Sequence, residues 1–273
     1  MKKLENKQSI PVIGIPIVNG IQWMKRLILS IDYPVDNVFI INNSGCKKFK
    51  EELENLREEL IFLQLNVINL HITHLPSNLG VPAAWNLIIK SFLMEPYWII
   101  SNHDVSFTPG LLEEIANVAQ DKDVSLIHPR AGEFDTGTYD LFVITEMGIK
   151  TIGLFDENLY PAYGEDSDFI MRIKNLNIKT IKGLKNQYFH GNEIANNDNE
   201  SYYKNAQQTK KENPQLIEKL EEVNLINYEY MNKKWGEDWR VVNPYNKPFN
   251  NIEYPQSYTT WDINFIRKKY LGF

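Results

Sequence analysis

Short apolar segments alternate with amphipathic ones along the first two thirds of the chain. The apolar segments are rich in β-branched and aromatic residues, which favours strands, and the segments between them have apolar residues at helical spacing. The predicted strands are 11–18, 38–41, 66–71, 97–100 and 123–127, and the predicted helices among them are 21–31, 50–65 and 81–92. This order predicts an α/β fold whose mainly parallel central sheet is flanked by helices.

The predicted strand 97–100 is apolar at every position, as expected when both faces of a sheet are covered. Thr108 and Pro109 follow it. A threonine suits a helix N-cap and a proline suits the first helical position, so this pair predicts the start of the next helix.

Charge and cysteine content exclude several classes of protein. The chain has 273 residues, a formal net charge of −6 and a single cysteine, Cys46. An acidic chain has no overall basic balance for non-specific binding to nucleic acid. One cysteine forms no intrachain disulfide and no multi-cysteine zinc site, which indicates a reducing, cytoplasmic compartment. The sequence also has no secretory leader and no apolar run that would span a bilayer, so we expect a soluble protein.

The character of the sequence changes near residue 195. Residues 196–200 are polar, and Asn213-Pro214 opens an amphipathic helix whose apolar stripe must be buried. We therefore predict one core domain over residues 1–195 and a helical or irregular C-terminal extension over residues 196–273.

The two commonest nucleotide-binding motifs are absent from the sequence. No GxGxxG follows the first strand and no GxxxxGK[ST] occurs, which argues against a dehydrogenase and a P-loop NTPase. In an open α/β sheet, ligands bind beyond the carboxyl ends of the strands, so polar residues there are the first candidates for a site. They are Asn19, Asn42, Asn43, Ser44, Asn78, Asn102, His103 and Asp104.

Asp104 follows the apolar strand 97–100. This strand would place the Asp104 carboxylate at the sheet edge with little conformational freedom. Such a carboxylate suits a hard divalent cation that takes its other ligands from phosphate and water. A turn aspartate without a ligand explains the same position.

Three carboxylates occur within four residues at Glu165, Asp166 and Asp168. At the start of a helix they either cap it and complement its dipole, or hold an ionised carboxylate at a cleft as a general base. His190 follows another strand-like stretch, and its imidazole would serve as a ligand for a metal such as Mn²⁺ or as a structural group.

The order of these segments resembles that of nucleotide-sugar glycosyltransferases with the GT-A fold, and of glycosyltransferase family 2 in particular. The most specific match runs from 153–157 to 163–169, similar to the family's Gly-Phe-Asp-Glu…Glu-Asp-x-Asp segment. Four weaker matches are the small polar turn IPIVNG at 15–20, NNSG at 42–45, the Asn-x-Gly-x-x-x-Ala-x-Asn stretch at 78–86, and 102–104 at the position of the metal-binding DxD triplet. The resemblance covers about residues 10–195.

The resemblance implies a role for each matched residue. Asp104 and His190 would bind a divalent metal, Mn²⁺ or Mg²⁺, that bridges the donor diphosphate, and Asp166, with Glu165 beside it, would be catalytic. The residues implied in donor binding are Pro16, Val18, Asn19, Asn42, Asn43, Asn78, Gly80, Asn86, Asn102 and His103. Asn102 departs from the family, which usually has the first Asp of DxD there, and water or His190 would compensate for the lost carboxylate.

The implied reaction moves a sugar from a nucleotide-sugar to a hydroxyl of a glycan, glycoprotein or lipid-linked acceptor. A UDP-sugar is the default donor, with GDP- and dTDP-sugars open. Asp166 would take the proton of the acceptor hydroxyl while its oxygen displaces the nucleoside diphosphate with inversion at the anomeric carbon. The segment 228–236 resembles Tyr…Lys-Trp-Gly segments near the ends of some relatives, so we expect the extension to cover the acceptor side or to form a subunit contact, as in a homodimer.

Two other functions stay open at this point. A sugar nucleotidyltransferase of similar fold would have a Gly-rich loop with Lys or Arg after the first strand, which residues 19–23 do not resemble. A degenerate, non-catalytic member of the family would only bind a glycan or a nucleotide. Asn102 favours this second alternative and the intact run 165–168 opposes it.

Overall fold

The computed structural model describes residues 9–63, 65–131, 138–174, 176–191, 214–240 and 245–251. They form nine strands, seven α-helices and one 3₁₀ helix. In chain order these are β1 (Ile10–Ile17), α1 (Ile21–Leu29), β2 (Val35–Asn42), α2 (Lys47–Ile61), β3 (Val67–His74), α3 (Val81–Ser91), β4 (Tyr97–Ser101), β5 (Val105–Phe107), α4 (Leu111–Val118), β6 (Val124–His128), β7 (Leu141–Thr145), α5 (Glu146–Ile152), α6 (Glu165–Lys174), β8 (Lys179–Lys182), β9 (Tyr188–His190), α7 (Pro214–Trp235) and the 3₁₀ helix Pro248–Asn251.

Seven strands form the central sheet in the order β3-β2-β1-β4-β7-β6-β8. The pairs β1/β2, β2/β3, β1/β4 and β6/β8 are parallel, whereas β7 runs antiparallel to both of its neighbours, β4 and β6. The mainly parallel α/β architecture predicted from the sequence is therefore confirmed. The antiparallel strand β7 is an addition that the sequence did not predict.

Different helices cover the two faces of the sheet. Helices α1, α2 and α4 pack on one face, and α3, α5 and α6 on the other. In β4, Tyr97 and Ile99 belong to the first cluster and Trp98 and Ile100 to the second, and all four side chains are buried. The prediction that this strand is covered on both faces is confirmed.

Helix α3 lies very close to the sheet at Gly14 in β1. A Cβ atom built on Gly14 would lie 2.3 Å from Cγ2 of Ile88, which is shorter than any real contact. Position 14 therefore accepts only glycine while α3 keeps its present distance from β1.

The predicted start of α4 is wrong. The hydroxyl of Thr108 donates to the carbonyl of Gln187 instead of capping the helix, and α4 begins at Leu111 with Gly110 as its N-cap residue. The Oδ2 of Asp32 accepts from the Gly110 amide at 2.7 Å, so the donor at this helix end is satisfied by a residue far away in sequence.

The second half of α7 packs against the core. Its residues Met231 and Trp235 form a buried cluster with Leu159, Met171 and Trp239. The helix predicted to open at Asn213-Pro214 is confirmed by α7, whereas the side chains of its predicted apolar stripe before Val223 lie outside the described residues. The polar segment 196–200 and the predicted boundary at residue 195 lie outside the described residues. Within the described parts of the chain, no helix is both long and apolar enough to cross a membrane.

Candidate active site

The loops that follow β1 and β2 meet at one edge of the sheet. The amide of Asn43 donates to the carbonyl of Ile17 at 2.8 Å, which joins the carboxyl ends of these two strands. Pro16, Val18 and Asn19 are half-buried at the end of β1. The structure thus brings together the residues from these two strands that the sequence predicted to bind a donor.

A chain of hydrogen bonds fixes Asn42 at the end of β2. Its Nδ2 lies 3.0 Å from Nδ1 of His74, and Nε2 of His74 lies 2.6 Å from Oε1 of Glu54. Because the Glu54 carboxylate only accepts, the His74 Nε2 carries the proton and its Nδ1 accepts from Asn42. The Oδ1 of Asn42 accepts from the amide and hydroxyl of Ser44 at 3.1 and 2.6 Å. No sequence pattern indicated this role for His74 or Glu54, because both are far from Asn42 along the chain.

Asn43 holds the loop that precedes α3. Its Oδ1 accepts from the Leu79 amide at 2.7 Å and its Nδ2 donates to the Gly80 carbonyl at 3.3 Å, while Oδ1 of Asn78 accepts from the Gly80 amide at 2.7 Å. Gly80 has φ 86° and ψ 167°, and a Cβ atom there would lie 2.9 Å from the carbonyl oxygen of Pro161. Asn43, Asn78 and Gly80 therefore form one rigid loop next to the carboxyl end of β2.

The polar atoms of the Asn86 side chain form hydrogen bonds within the fold. Its Oδ1 accepts from the Phe155 amide at 2.9 Å, and its Nδ2 donates to the Phe155 carbonyl at 2.9 Å and to Oε1 of Glu157 at 2.8 Å. The side chain is buried and ties α3 to the segment that leads to α6. A role of Asn86 in donor binding would therefore be indirect.

The turn between β4 and β5 carries Asn102, His103 and Asp104. The Asn102 amide donates to the Asp140 carbonyl at 2.8 Å. His103 lies against the turn after β1, since a Cβ on Gly20 would be 3.0 Å from its Nε2. Burial lowers the pKa of His103, which favours the neutral ring.

Asp104 and His190 meet because β5 and β9 pair. The register places Val105 opposite His190, and Nε2 of His190 lies 3.2 Å from Oδ1 of Asp104. Arg26 Nη2 and the Gly191 amide donate to the Asp104 carbonyl at 2.7 and 2.9 Å. Burial raises the pKa of Asp104, but the hydrogen bond from His190 and the electrostatic interactions with His103 and His190 outweigh it, so the pKa lies well below its ordinary value.

Asp140 completes this cluster and was missed by the sequence analysis. Its Oδ2 lies 3.3 Å from Nδ1 of His190, and its Oδ1 accepts from the Tyr188 hydroxyl at 2.7 Å. The imidazole of His190 therefore lies between two carboxylates, Asp104 and Asp140. In the described residues, no group of three or more His, Cys, Asp or Glu side chains is arranged around a common metal position.

The acidic run at the start of α6 divides into three different environments. Asp166 is half-buried, and its Oδ1 accepts from the Ser167 amide at 2.6 Å. Glu165 is 8% exposed, and its Oε2 has no hydrogen-bond partner among the described residues. Burial, and next the charge of Asp166, raises the pKa of Glu165 to about 8. Asp168 is fully buried and lies 2.6 Å from Nζ of Lys234.

A large part of the chain matches a known protein family and a curated relative. The family model described as "Glycosyl transferase family 2" matches residues 12–189. A curated relative from Leishmania donovani, named galactofuranosyl glycosyltransferase, is 25% identical over 69% of this chain and 58% of its own length. The chain therefore spans less than two thirds of that relative.

Solved structures share the fold at low identity. The structure of residues 1–349 of S. aureus TarS superposes with a TM-score of 0.50 at 15% identity, covering 67% of this chain and 61% of that one. The same protein is also known in complex with UDP, with the same TM-score of 0.50. GalNAc-T7 with UDP, GalNAc and Mn²⁺ superposes with a TM-score of 0.55 at 12% identity, covering 68% of this chain and 44% of that one. These likenesses establish the GT-A fold.

Proposed function

The chain belongs to glycosyltransferase family 2, and from this premise we propose that it transfers a sugar from a UDP-sugar to a hydroxyl of a glycan, glycoprotein or lipid-linked acceptor. The observation that carries the proposal is the juxtaposition of Asp104 and His190, 3.2 Å apart, beyond the carboxyl end of β4. Ligands of open α/β sheets bind at this edge. UDP in the structures of TarS and GalNAc-T7 supports the choice of nucleotide.

The proposed donor site lies between the ends of β1, β2 and β4. Asn43 and the loop 78–80 would line one side of this site, and the turn 102–104 would line the opposite side. The glycine at position 80 and the hydrogen bonds of Asn43 hold this loop before any ligand arrives. A rigid loop loses little conformational entropy on binding, which favours affinity for the nucleotide.

Asp104 and His190 fit a divalent cation. They offer one carboxylate and one imidazole nitrogen, a donor set that Mn²⁺ accepts, and a hard cation takes its remaining ligands from phosphate and water. Arg26 and Gly191 hold the backbone of Asp104, and Asp140 orients the ring of His190. A bound cation would stabilise the negative charge of the departing diphosphate. GalNAc-T7 with Mn²⁺ supports this assignment.

Asp166 is the proposed general base. It is half-buried, and Ser167 occupies only its Oδ1, so Oδ2 would accept the proton of the acceptor hydroxyl. Direct displacement by that hydroxyl inverts the configuration at the anomeric carbon. Glu165 is less suited to this role because it is buried and its raised pKa of about 8 keeps it protonated at neutral pH. We assign to Glu165 a place beside the base, without contact to the acceptor.

The cellular location and the assembly are also proposals. The only cysteine, Cys46, is free and exposed, which is consistent with a reducing compartment such as the cytoplasm. A homodimer would use surface outside the cluster of Met231 and Trp235, because these side chains are buried within the chain. Gel filtration with light scattering would test the dimer.

A thermal-shift panel of UDP, GDP, dTDP and CDP, each with and without Mn²⁺, tests the donor assignment. A ligand that binds only the folded state at a hundredfold excess over its dissociation constant stabilises it by about 2.7 kcal/mol. We expect the largest shift from UDP with Mn²⁺. A shift from UDP without release of UDP from any UDP-sugar would instead favour a non-catalytic binding protein. No shift from any nucleotide would contradict the proposed function.

A further inference from the structure

Lys234 of α7 is completely buried between two buried carboxylates. Its Nζ lies 2.7 Å from Oδ2 of Asp156 and 2.6 Å from Oδ1 of Asp168, and all three side chains are 0% exposed. Burying an ionised group is very costly unless it is paired and hydrogen-bonded. Burial alone would raise the pKa of Asp156, but Lys234 and Tyr230 outweigh it, so the pKa lies below its ordinary value.

Two other side chains of α7 support the same carboxylates. The hydroxyl of Tyr230 donates to Oδ2 of Asp156 at 2.7 Å, and Nε1 of Trp235 donates to Oδ1 of Asp168 at 2.9 Å. Arg172, on α6 itself, lies 3.1 Å from Oδ2 of Asp168 through its Nε. Among the described residues, this buried network contains the carboxylates of Asp156 and Asp168 and the cations of Lys234 and Arg172, and α7 supplies Lys234.

A third contact from α7 reaches the backbone directly before α6. Nδ2 of Asn227 donates to the carbonyls of Ala162 and Tyr163, both at 3.0 Å. Asn227, Tyr230 and Lys234 are three and four residues apart, so they lie on one face of the helix. This face of α7 contacts the segment 156–168 at its beginning, near its middle and at its end.

The segment 156–168, which α7 contacts, carries the proposed base. Asp166 lies two residues before Asp168 and three residues after Tyr163, so the contacts from α7 flank it on both sides. The position of its carboxylate therefore depends on how α7 is docked. Proton transfer requires the base within hydrogen-bond reach of the hydroxyl, and a displacement of about 1 Å can cost about a hundredfold in rate.

We propose that α7 is an integral part of the catalytic unit and that Lys234 is a positioning residue for Asp166, acting through Asp168 and Asp156. This inference rests on the proposed function, because it takes Asp166 as the general base. It assigns the positioning of that base to a helix that lies outside the matched residues 12–189. The helix would thereby contribute to turnover and leave donor binding unchanged.

The test compares Lys234 with its exposed neighbour Lys233 in the full chain. Lys234→Met alone leaves an excess buried carboxylate and risks unfolding, so the informative variant is the charge-balanced Asp156→Asn/Lys234→Met, which retains the Asp168–Arg172 pair. Asn227→Ala is a milder second variant that removes only the bonds to the backbone of 162–163. Lys233→Met is the matched control.

The measurements are the affinity for UDP with Mn²⁺ and the kcat and KM for UDP release from a panel of UDP-hexoses and UDP-N-acetylhexosamines, at least 15 °C below each variant's Tm. We expect kcat to fall at least tenfold in the double variant and about threefold or more in Asn227→Ala. The KM and the affinity for UDP should stay within about twofold of the wild type, and Lys233→Met should match the wild type in every value.

Two outcomes would overturn the inference in different ways. A folded double variant with kcat within twofold of the wild type would show that Lys234 only stabilises the fold, while the proposed function would stand. A wild-type chain that binds UDP but releases no UDP from any donor would overturn the proposed function, and the role of α7 in catalysis with it.

Discussion

Nδ1 of His190 lies 3.3 Å from Oδ2 of Asp140, on the opposite side of the ring from Asp104. A carboxylate at Nδ1 keeps a proton on that nitrogen, so Nε2 is the one that would face a metal. Asp140 itself is fixed by the hydroxyl of Tyr188. In the proposed metal site, Nε2 would exchange its contact with Asp104 for the cation, and the tautomer of His190 would be set by Asp140, a residue that no sequence motif marks.

Replacing Asp140 should weaken the binding of Mn²⁺. In Asp140→Asn the partner of Nδ1 loses its charge, and partners of this kind typically contribute about 10–100-fold in metal affinity. Calorimetric titration of Mn²⁺ into the UDP-saturated protein measures the effect without any need for turnover. The exposed Asp123→Asn serves as the control, and equal Mn²⁺ affinity in the two variants would contradict the prediction.

Asp166→Asn should abolish transfer while the donor still binds. A positioned general base contributes about 10²–10⁴ in rate, and an amide accepts no proton at neutral pH. The check is the kcat for release of UDP from the best donor, together with the affinity for UDP. Turnover close to that of the wild type would remove Asp166 from the role of base.

Gly80→Ala should destabilise the protein by about 1–3 kcal/mol, the usual cost of a side chain in a glycine-only backbone region. The φ of 86° and the Pro161 carbonyl 2.9 Å from the new Cβ both oppose the substitution. Urea denaturation measures the loss, and the exposed Ser77→Ala in the same loop is the matched control. A Gly80→Ala protein as stable as this control would mean that the loop relaxes without cost.

Glu165 should make stability depend on pH. Its pKa rises from 4.5 in the unfolded reference to about 8 in the fold, because of burial first and the charge of Asp166 second. Between these two values the folded state holds the extra proton, so this group lowers the free energy of unfolding as the pH rises. Glutamine does not titrate, so Glu165→Gln lacks this pH dependence. The free energy of unfolding of the variant minus that of the wild type should therefore increase from pH 5 to pH 8.

The expected relative gain exceeds about 1 kcal/mol, since each pKa unit corresponds to about 1.4 kcal/mol. Urea denaturation of both proteins at pH 5 and pH 8 measures it. The exposed Glu58→Gln should show no such trend. A constant difference between Glu165→Gln and the wild type across this pH range would contradict the raised pKa.

Much of the fold was readable from local patterns. The apolar runs and helical stripes predicted strands β1 to β4 and β6 and helices α1 to α3, but not the short strand β5. The Asp104 and His190 candidates meet in the structure. The direction of β7 was not predictable, because a short apolar strand has the same pattern in either orientation. The start of α4 was misplaced because its terminal amide is satisfied by Asp32, which is far away in sequence.

The missed site residues share a physical reason. Asp140, His74 and Lys234 act through contacts with residues between 32 and 78 positions away, and nothing in their immediate neighbours signals this. Lys234 follows another lysine in a helix with many charged residues, where a solvent-exposed side chain is the ordinary expectation. The resemblance of segment 228–236 to Lys-Trp-Gly segments of relatives was the one available signal for it.

The close approach of α3 to β1 at Gly14 has a consequence for the proposed donor site. Helix α3 begins directly after Gly80, so its distance from the sheet determines where the loop 78–80 stands relative to the end of β2. Any side chain at position 14 would clash with Ile88, and we expect the resulting shift of α3 to displace that loop. In the proposed site, a buried strand residue without a side chain would thus set the distance between the helix and the sheet where the nucleotide is expected to bind.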